Sequence, residues 1–170
     1  MWSRRKARIA ALQTLFQHEF QEFETSEALM ASFWDVICDM EEEDFSPDEY
    51  IPEDYRETVL LDEVIVTGRF ADQQNDHYTF LVTKVIEEEY EINRMISGIS
   101  KSWDVSRLGK VEIILMRIAI VEALYCDDVP VITAIDEAIE ISKFYAGHDS
   151  YTFINGVLDK VLKEFKSPKN

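Results

Sequence analysis

Residues Val111–Cys126 read VEIILMRIAIVEALYC, and this stretch decides the fold. Thirteen of its sixteen residues are apolar, and the three charged residues are too scattered to make a broad polar face. A helix that is apolar on nearly every side is buried on several sides. The stretch is too short and too charged for a membrane span, which needs roughly 18 or more apolar residues, and it exceeds a usual strand of about 4–8 residues. It therefore predicts a central core helix.

Helical patterns continue on both sides of this central helix, and no internal repeat accompanies them. Apolar residues recur at helical spacing in six further segments. They are a helix that follows a Ser3 N-cap, Glu27–Met40, Asp54–Phe70, a helix capped by Asp76 that runs through Ile99, a helix that follows Pro130 and stops at Gly147, and a last helix capped by Asp149 or Ser150. Together the segments predict an all-α bundle of about seven helices.

The charge of the chain is strongly negative and unevenly distributed. There are 34 acidic residues against 17 basic ones, which gives a formal net charge of -17. A field of this sign repels nucleic acid, so RNA binding would need a local basic patch. One such patch, here called the basic cluster, consists of Arg4, Arg5, Lys6 and Arg8.

Local evidence leaves two interpretations of the basic cluster open. Its residues occupy the first turns of a predicted helix, where cations oppose the helix dipole by about 0.3–1 kcal/mol per charge. The cluster is either a solvated helix start, with bases that pair with the protein's own acids, or an anion site for phosphate.

No motif for catalysis, for a metal ion or for a cofactor occurs in the sequence. The three histidines, His18, His77 and His148, belong to no HExxH or ExxH pair, and there is no phosphate-binding loop or nucleophile motif. The two cysteines, Cys38 and Cys126, form no CxxC pair, and the first residues do not resemble a signal peptide. These features predict a cytoplasmic protein that is not an enzyme, holds no cofactor and does not associate with a membrane.

Four motifs follow one another with short gaps in the C-terminal half of the chain. They are LGKVEIILMRIAIVEALY at 108–125, DVP at 128–130, IDEAIEISK at 135–143 and FINGVLDK at 153–160. The N-terminal half opens with RRKAR at 4–8 and ALQTLFQ at 11–17. In order and spacing these motifs resemble the NusB family of transcription antitermination factors.

This resemblance implies an all-helical fold of about seven helices in two packed three-helix subdomains. It implies a single RNA-binding domain over 1–170, with a basic arm at 1–9 and a core at 108–162, whereas the acidic loop at 41–55 is predicted from the sequence alone. It also implies a non-enzymatic role, in which the protein binds the boxA element of leader RNA, notably in ribosomal RNA operons. Its partner there is the small-subunit ribosomal protein that acts as NusE, and the complex helps RNA polymerase to read through terminators.

The resemblance also assigns candidate RNA contacts. It places the family's arginine-rich arm on the basic cluster, which would position RNA through phosphate contacts without reading its sequence. An acid tied to RNA affinity in the family falls on Asp149, and an aromatic residue falls on Phe153, which would stack on an unpaired base. Tyr151 is a neighbouring candidate of our own. The alternatives are that Phe153 packs in the core against Val157 and that Asp149 is a plain N-cap.

Two further residues match the family's contacts with the ribosomal protein. Phe16 corresponds to an aromatic residue on the first helix, although the family pattern has a tyrosine there. Glu112 corresponds to an acid at the start of the central helix. A carboxylate at a helix N-terminus also suits the helix dipole, so a purely structural role for Glu112 stays open.

The acidic loop departs from the family pattern as an insertion. The segment EEEDFSPDEYIPEDY at 41–55 is rich in carboxylates, whereas the bases cluster elsewhere. One hypothesis is that this loop folds over the basic cluster and competes with RNA when the partner is absent.

Two other functions compete with the antitermination factor. One is the NusB-like RNA-binding module of a ribosomal RNA cytosine methyltransferase, which a chain ending at Asn170 without a methyl-donor domain disfavours. The other is a structural helical adaptor that self-associates, for which a homodimer is possible.

Overall fold

Every regular element in the described part of the chain is an α-helix. A computed structural model describes residues 3–38, 75–99, 108–147 and 149–165, and no strand occurs among them. The described helices are α1 (Arg4–His18), α2 (Ser26–Cys38), α3 (Asp76–Glu87), α4 (Glu89–Ile99), α5 (Lys110–Tyr125), α6 (Val131–Tyr145) and α7 (Ser150–Phe165). The all-α prediction is confirmed. The predicted helix 54–70 and the acidic loop at 41–55 lie outside the described residues.

The chain divides into two compact units, Met1–Thr83 and Lys84–Asn170. Helices α1 and α2 belong to the first unit, α4 to α7 belong to the second, and the division falls within α3. That one RNA-binding domain spans residues 1–170 remains a prediction.

The second unit is built around α5, as the apolar stretch predicts. Every residue from Ile114 to Ala123 is buried. Helices α6 and α7 pack against α5 and against each other, and α4 contacts both α5 and α7. Each fully buried Ile or Leu stabilises the folded state by roughly 1.5–3 kcal/mol. Burial on all sides of α5 therefore holds the second unit together.

One of the buried charges on α5 is paired with α4. The Arg117 side chain is 11 % exposed, and its Nη2 lies 3.0 Å from Glu89 Oε1. Its Nε donates a hydrogen bond to Asn93 Oδ1 at 3.0 Å. Because a buried guanidinium without partners would be strongly destabilising, these contacts are what allow Arg117 to lie inside the unit.

In the first unit, small residues let α1 lie close to its neighbours. Ala7, Ala10, Ala11 and Thr14 are all fully buried. Thr14 Oγ1 donates to the Ala10 carbonyl at 2.8 Å and shares a hydrogen bond of 3.0 Å with the Tyr78 hydroxyl on α3. The buried Thr14 hydroxyl is therefore satisfied where the two helices meet.

The predicted single helix from Asp76 to Ile99 is wrong in two details. Asn75 caps α3, because its Oδ1 accepts a hydrogen bond from the backbone N–H of Tyr78 at 2.9 Å, and Asp76 lies in the first turn. Glu88 separates α3 from α4, although backbone hydrogen bonds continue on both sides of it. No glycine or proline marks this interruption in the sequence.

We predict that the protein loses stability as the pH rises above about 10. Tyr78 is 3 % exposed, and burial raises the pKa of its hydroxyl above the usual value of about 10. The folded state therefore keeps a proton that the unfolded state has lost. Below about pH 10 this difference does not change the free energy of unfolding. Above about pH 10 it lowers the free energy of unfolding by up to about 1.4 kcal/mol per pH unit. Urea unfolding followed by circular dichroism measures the slope.

Two tyrosine variants distinguish the effect of Tyr78 on alkaline stability from that of other groups that titrate at high pH. Tyr78→Phe loses the Thr14 hydrogen bond, which lowers stability at neutral pH by about 1 kcal/mol, but its alkaline slope is shallower. Tyr90→Phe is the matched control, because Tyr90 is 74 % exposed. An alkaline slope for Tyr78→Phe as steep as that of the unaltered protein would contradict the prediction.

Candidate functional site

The basic cluster lies at the start of α1, as predicted, and Ser3 is confirmed as the N-cap. Ser3 Oγ accepts a hydrogen bond from the Lys6 N–H at 3.2 Å, and the first turn contains no acid. The Arg4 side chain is exposed, and those of Arg5 and Lys6 are partly exposed. Arg8 is only 4 % exposed, so the protein covers nearly all of this residue. A phosphate contact by Arg8 stays a prediction that requires this side chain to move.

Phe16 lies near the C-terminal end of α1 as part of an exposed aromatic pair. Its side chain is 38 % exposed, and that of Phe20 is 69 % exposed. The ring centroids are 5.1 Å apart in an edge-on arrangement. Exposed aromatic side chains that already pack together are well suited to a protein interface. No sequence motif singled out Phe20 for this surface.

Glu112 lies in the first turn of α5, where a hydrogen bond holds its carboxylate. Ser150 Oγ donates a hydrogen bond to Glu112 Oε1 at 2.7 Å. Glu112 Oε2 occupies the space that a Cβ atom at Gly109, the N-cap of α5, would take. The glycine therefore leaves room for the carboxylate at the start of the helix, where the helix dipole favours a negative charge.

The start of α7 presents the other predicted RNA contacts. Asp149 is exposed, Tyr151 is 44 % exposed and Phe153 is half-buried. The core face of this helix consists of other residues, namely Ile154, Val157, Leu158, Val161 and Leu162. Phe153 therefore lies at the edge of the core face. Both the base-stacking role and the packing role of Phe153 remain predictions.

Asp149 does not act as a side-chain cap within the described part of α7. In three other helices the side-chain oxygen of Ser3, Thr25 or Asn75 accepts a hydrogen bond from the backbone N–H three residues later. Asp149 makes no corresponding bond to a described residue of α7.

The candidate residues divide between the two units. The basic cluster and Phe16 belong to the first unit, whereas Glu112 and the start of α7 belong to the second. Within the second unit, Ser150 joins the predicted RNA-contact region to Glu112, the predicted contact with the partner. No sequence signal pairs these two residues, which are 38 positions apart.

No metal centre is visible where the structure describes the chain. Among residues 3–38, 75–99, 108–147 and 149–165, no group of three or more His, Cys, Asp or Glu side chains is arranged to hold a metal ion. Over the same ranges, no helix is both long and apolar enough to cross a membrane.

Comparisons with known proteins agree on one family. The model of the NusB family matches residues 35–163. The chain is 36% identical to the transcription antitermination protein NusB of Enterococcus faecalis, over 90% of this chain and 93% of that protein. It is 32% identical to the protein of the same name from Nitratidesulfovibrio vulgaris, over 97% of this chain and 90% of the relative. A match to the Acetivibrio thermocellus protein is 39% identical but spans only 63% of that relative.

A solved structure supports the same assignment. T. maritima NusB superposes on this chain with a TM-score of 0.63 and 28% sequence identity. The superposition covers 96% of this chain and 92% of the other. The fold that the motifs implied is therefore confirmed by an independent comparison.

We predict that Gly109→Ala displaces the Glu112 carboxylate and breaks its hydrogen bond with Ser150. The added Cβ takes the space of Glu112 Oε2, and the side chain must rotate away. Losing this bond lowers the free energy of unfolding by about 1 kcal/mol, as measured by urea unfolding.

Gly98→Ala is the matched control, because a Cβ at Gly98 in α4 meets no atom within 4 Å. Replacing a helical glycine by alanine at such a position stabilises a protein by about 0.4–1 kcal/mol. If Gly109→Ala and Gly98→Ala changed the free energy of unfolding equally, this would contradict the claim that the Glu112 carboxylate needs the space beside Gly109.

Proposed function

The chain belongs to the NusB family, and from this premise we propose that it acts as an antitermination factor by binding the boxA element of leader RNA together with the ribosomal protein that acts as NusE. In this proposal the complex modifies RNA polymerase so that it reads through terminators, chiefly in ribosomal RNA operons. The protein works as a non-enzymatic cytoplasmic adaptor.

The observation that carries the proposal is the basic cluster in a chain of net charge -17. Arg4, Arg5 and Lys6 present cationic groups at the surface of α1, where no acidic residue lies in the first turn. Phosphate contacts of this kind fix the position of a bound RNA. Because the rest of the field repels phosphate, the chain alone binds weakly and needs a partner that adds affinity.

The start of α7 supplies groups that suit an unpaired base. Tyr151 and Phe153 have accessible ring surface, and stacking of a base on an aromatic ring is worth roughly 1–3 kcal/mol. Asp149 offers an exposed carboxylate that can accept hydrogen bonds from the exocyclic amines of bases. Sequence selection in this proposal resides at α7, and general affinity resides at α1.

Two surfaces suit the ribosomal-protein partner. The pair Phe16 and Phe20 offers apolar area at the end of α1, and Glu112 offers a positioned negative charge at the start of α5. A partner with an apolar patch and a basic side chain matches this combination.

The relatives favour this function over the methyltransferase module. Proteins that match this chain along nearly their whole length, in Enterococcus faecalis and Nitratidesulfovibrio vulgaris, are named antitermination proteins. Self-association through the exposed pair Phe16 and Phe20 is a separate possibility, which sedimentation of the free chain detects.

We predict that boxA RNA binds more tightly than a scrambled RNA when the ribosomal protein is present. Fluorescence anisotropy at several salt concentrations measures both affinities. Replacing Arg4, Arg5 and Lys6 by alanine weakens binding to both RNAs and reduces the salt slope by up to about 2, since each lost phosphate contact on a single strand contributes about 0.7.

A charge-matched control replaces three exposed bases elsewhere, Arg94, Lys160 and Lys163, by alanine. This variant has the same net charge as the variant that lacks Arg4, Arg5 and Lys6, but it keeps the basic cluster. Its RNA affinity therefore keeps most of the salt dependence of the unaltered protein. Equal affinity for boxA and scrambled RNA in the presence of the partner would refute specific RNA recognition. Sedimentation of the free chain as a dimer that dissociates on Phe16→Ala would favour the self-associating adaptor instead.

A further inference from the structure

We propose that Ser150 is a positioning residue, which holds the Glu112 carboxylate for the ribosomal-protein partner and thereby couples partner binding to the RNA-contact region of α7. This inference rests on the proposed function. It concerns a residue that the motifs do not mark and that makes no contact with RNA or partner in the proposal itself.

The geometry fixes the Glu112 carboxylate before any partner arrives. Its Oε1 accepts the Ser150 hydroxyl hydrogen at 2.7 Å, and its Oε2 lies in the space left by the missing side chain of Gly109. A surface glutamate ordinarily samples several rotamers, and ordering it on binding costs affinity. Here the rotamer is already selected, with the remaining lone pairs of the carboxylate available to a cationic or hydrogen-bond-donating group of the partner.

The position of Ser150 in the chain gives this hydrogen bond a second consequence. Ser150 is the first residue of α7 and lies between Asp149 and Tyr151, two of the predicted RNA contacts. Its backbone N–H donates to the Gly147 carbonyl at 2.9 Å, which fixes the turn that leads into α7. A partner that immobilises Glu112 therefore also restrains the start of α7, and by reciprocity RNA bound there favours the partner.

The test measures partner affinity without RNA, by isothermal titration of the full chain with the purified ribosomal protein. Ser150→Ala lowers the affinity by about three- to tenfold, because Glu112 loses its fixed rotamer. Ser150→Thr keeps the hydroxyl and restores affinity. The double variant Ser150→Ala/Glu112→Ala binds no more weakly than Glu112→Ala alone, because Ser150 acts only through Glu112.

Ser142→Ala is the matched control for a general loss of stability. Ser142 is fully buried, and its hydroxyl donates to the Ile139 carbonyl at 2.7 Å within α6. This variant removes a comparable serine hydrogen bond from the same unit and leaves partner affinity unchanged.

A second readout tests the coupling. The ratio of boxA affinity with the partner to boxA affinity without it falls in Ser150→Ala. A change in stability alone does not alter this ratio. Equal ratios in Ser150→Ala and the unaltered protein would overturn the coupling.

The outcomes distinguish this inference from the proposed function. If Glu112→Ala weakens partner binding and Ser150→Ala does not, the positioning role is overturned and the proposed interface stands. Additive losses in the double variant also overturn it, since Ser150 would then act independently of Glu112. If Glu112→Ala binds the partner as the unaltered chain does, the proposed interface itself fails at this residue, and the positioning role fails with it.

Discussion

Burial of α5 on all sides is the constraint on which the second unit depends. From Ile114 to Ala123 no residue reaches solvent to any large extent, so three neighbouring helices must cover this segment. Because of this burial, a charged side chain in the centre of α5 needs partners inside the protein. Arg117 is paired with Glu89 and Asn93 of α4, and removal of either contact would leave part of a guanidinium inside a low-dielectric interior. The ion pair between Arg117 and Glu89 is therefore required by the burial of Arg117 in the core.

The same constraint explains why the candidate contact residue Glu112 lies at the end of α5 and not at its centre. Charged residues in the middle of this helix must be paired internally, whereas Glu112 lies in the first turn, where the carboxylate is only partly buried. Gly109 leaves space for that carboxylate and Ser150 holds it. A residue on a rigid helix with such supporting contacts keeps a defined geometry, as recognition of a partner requires. The buried centre of α5 thus supports Glu112, the proposed contact residue, at the end of the helix.

Much of the fold could be predicted from the sequence because its signals are local. The apolar stretch 111–126 identified α5, the Ser3 hydroxyl identified the start of α1, and the motifs identified the family. Non-local contacts could not be predicted. Arg8 is buried although it belongs to a run of bases, and Glu88 interrupts a helical pattern that contains no glycine or proline. The bond from Ser150 to Glu112 depends on how α7 packs against α5, which residue spacing does not specify.

Hydrogen exchange of the backbone amides, with and without the ribosomal protein, tests most directly whether α5 is the rigid base of the interface. The account predicts that amides from Ile114 to Ala123 exchange only through global unfolding in the free chain. It predicts that the partner adds protection at the first turn of α5 and around Phe16. Fast exchange in the centre of α5, or added protection confined to other helices, would contradict it.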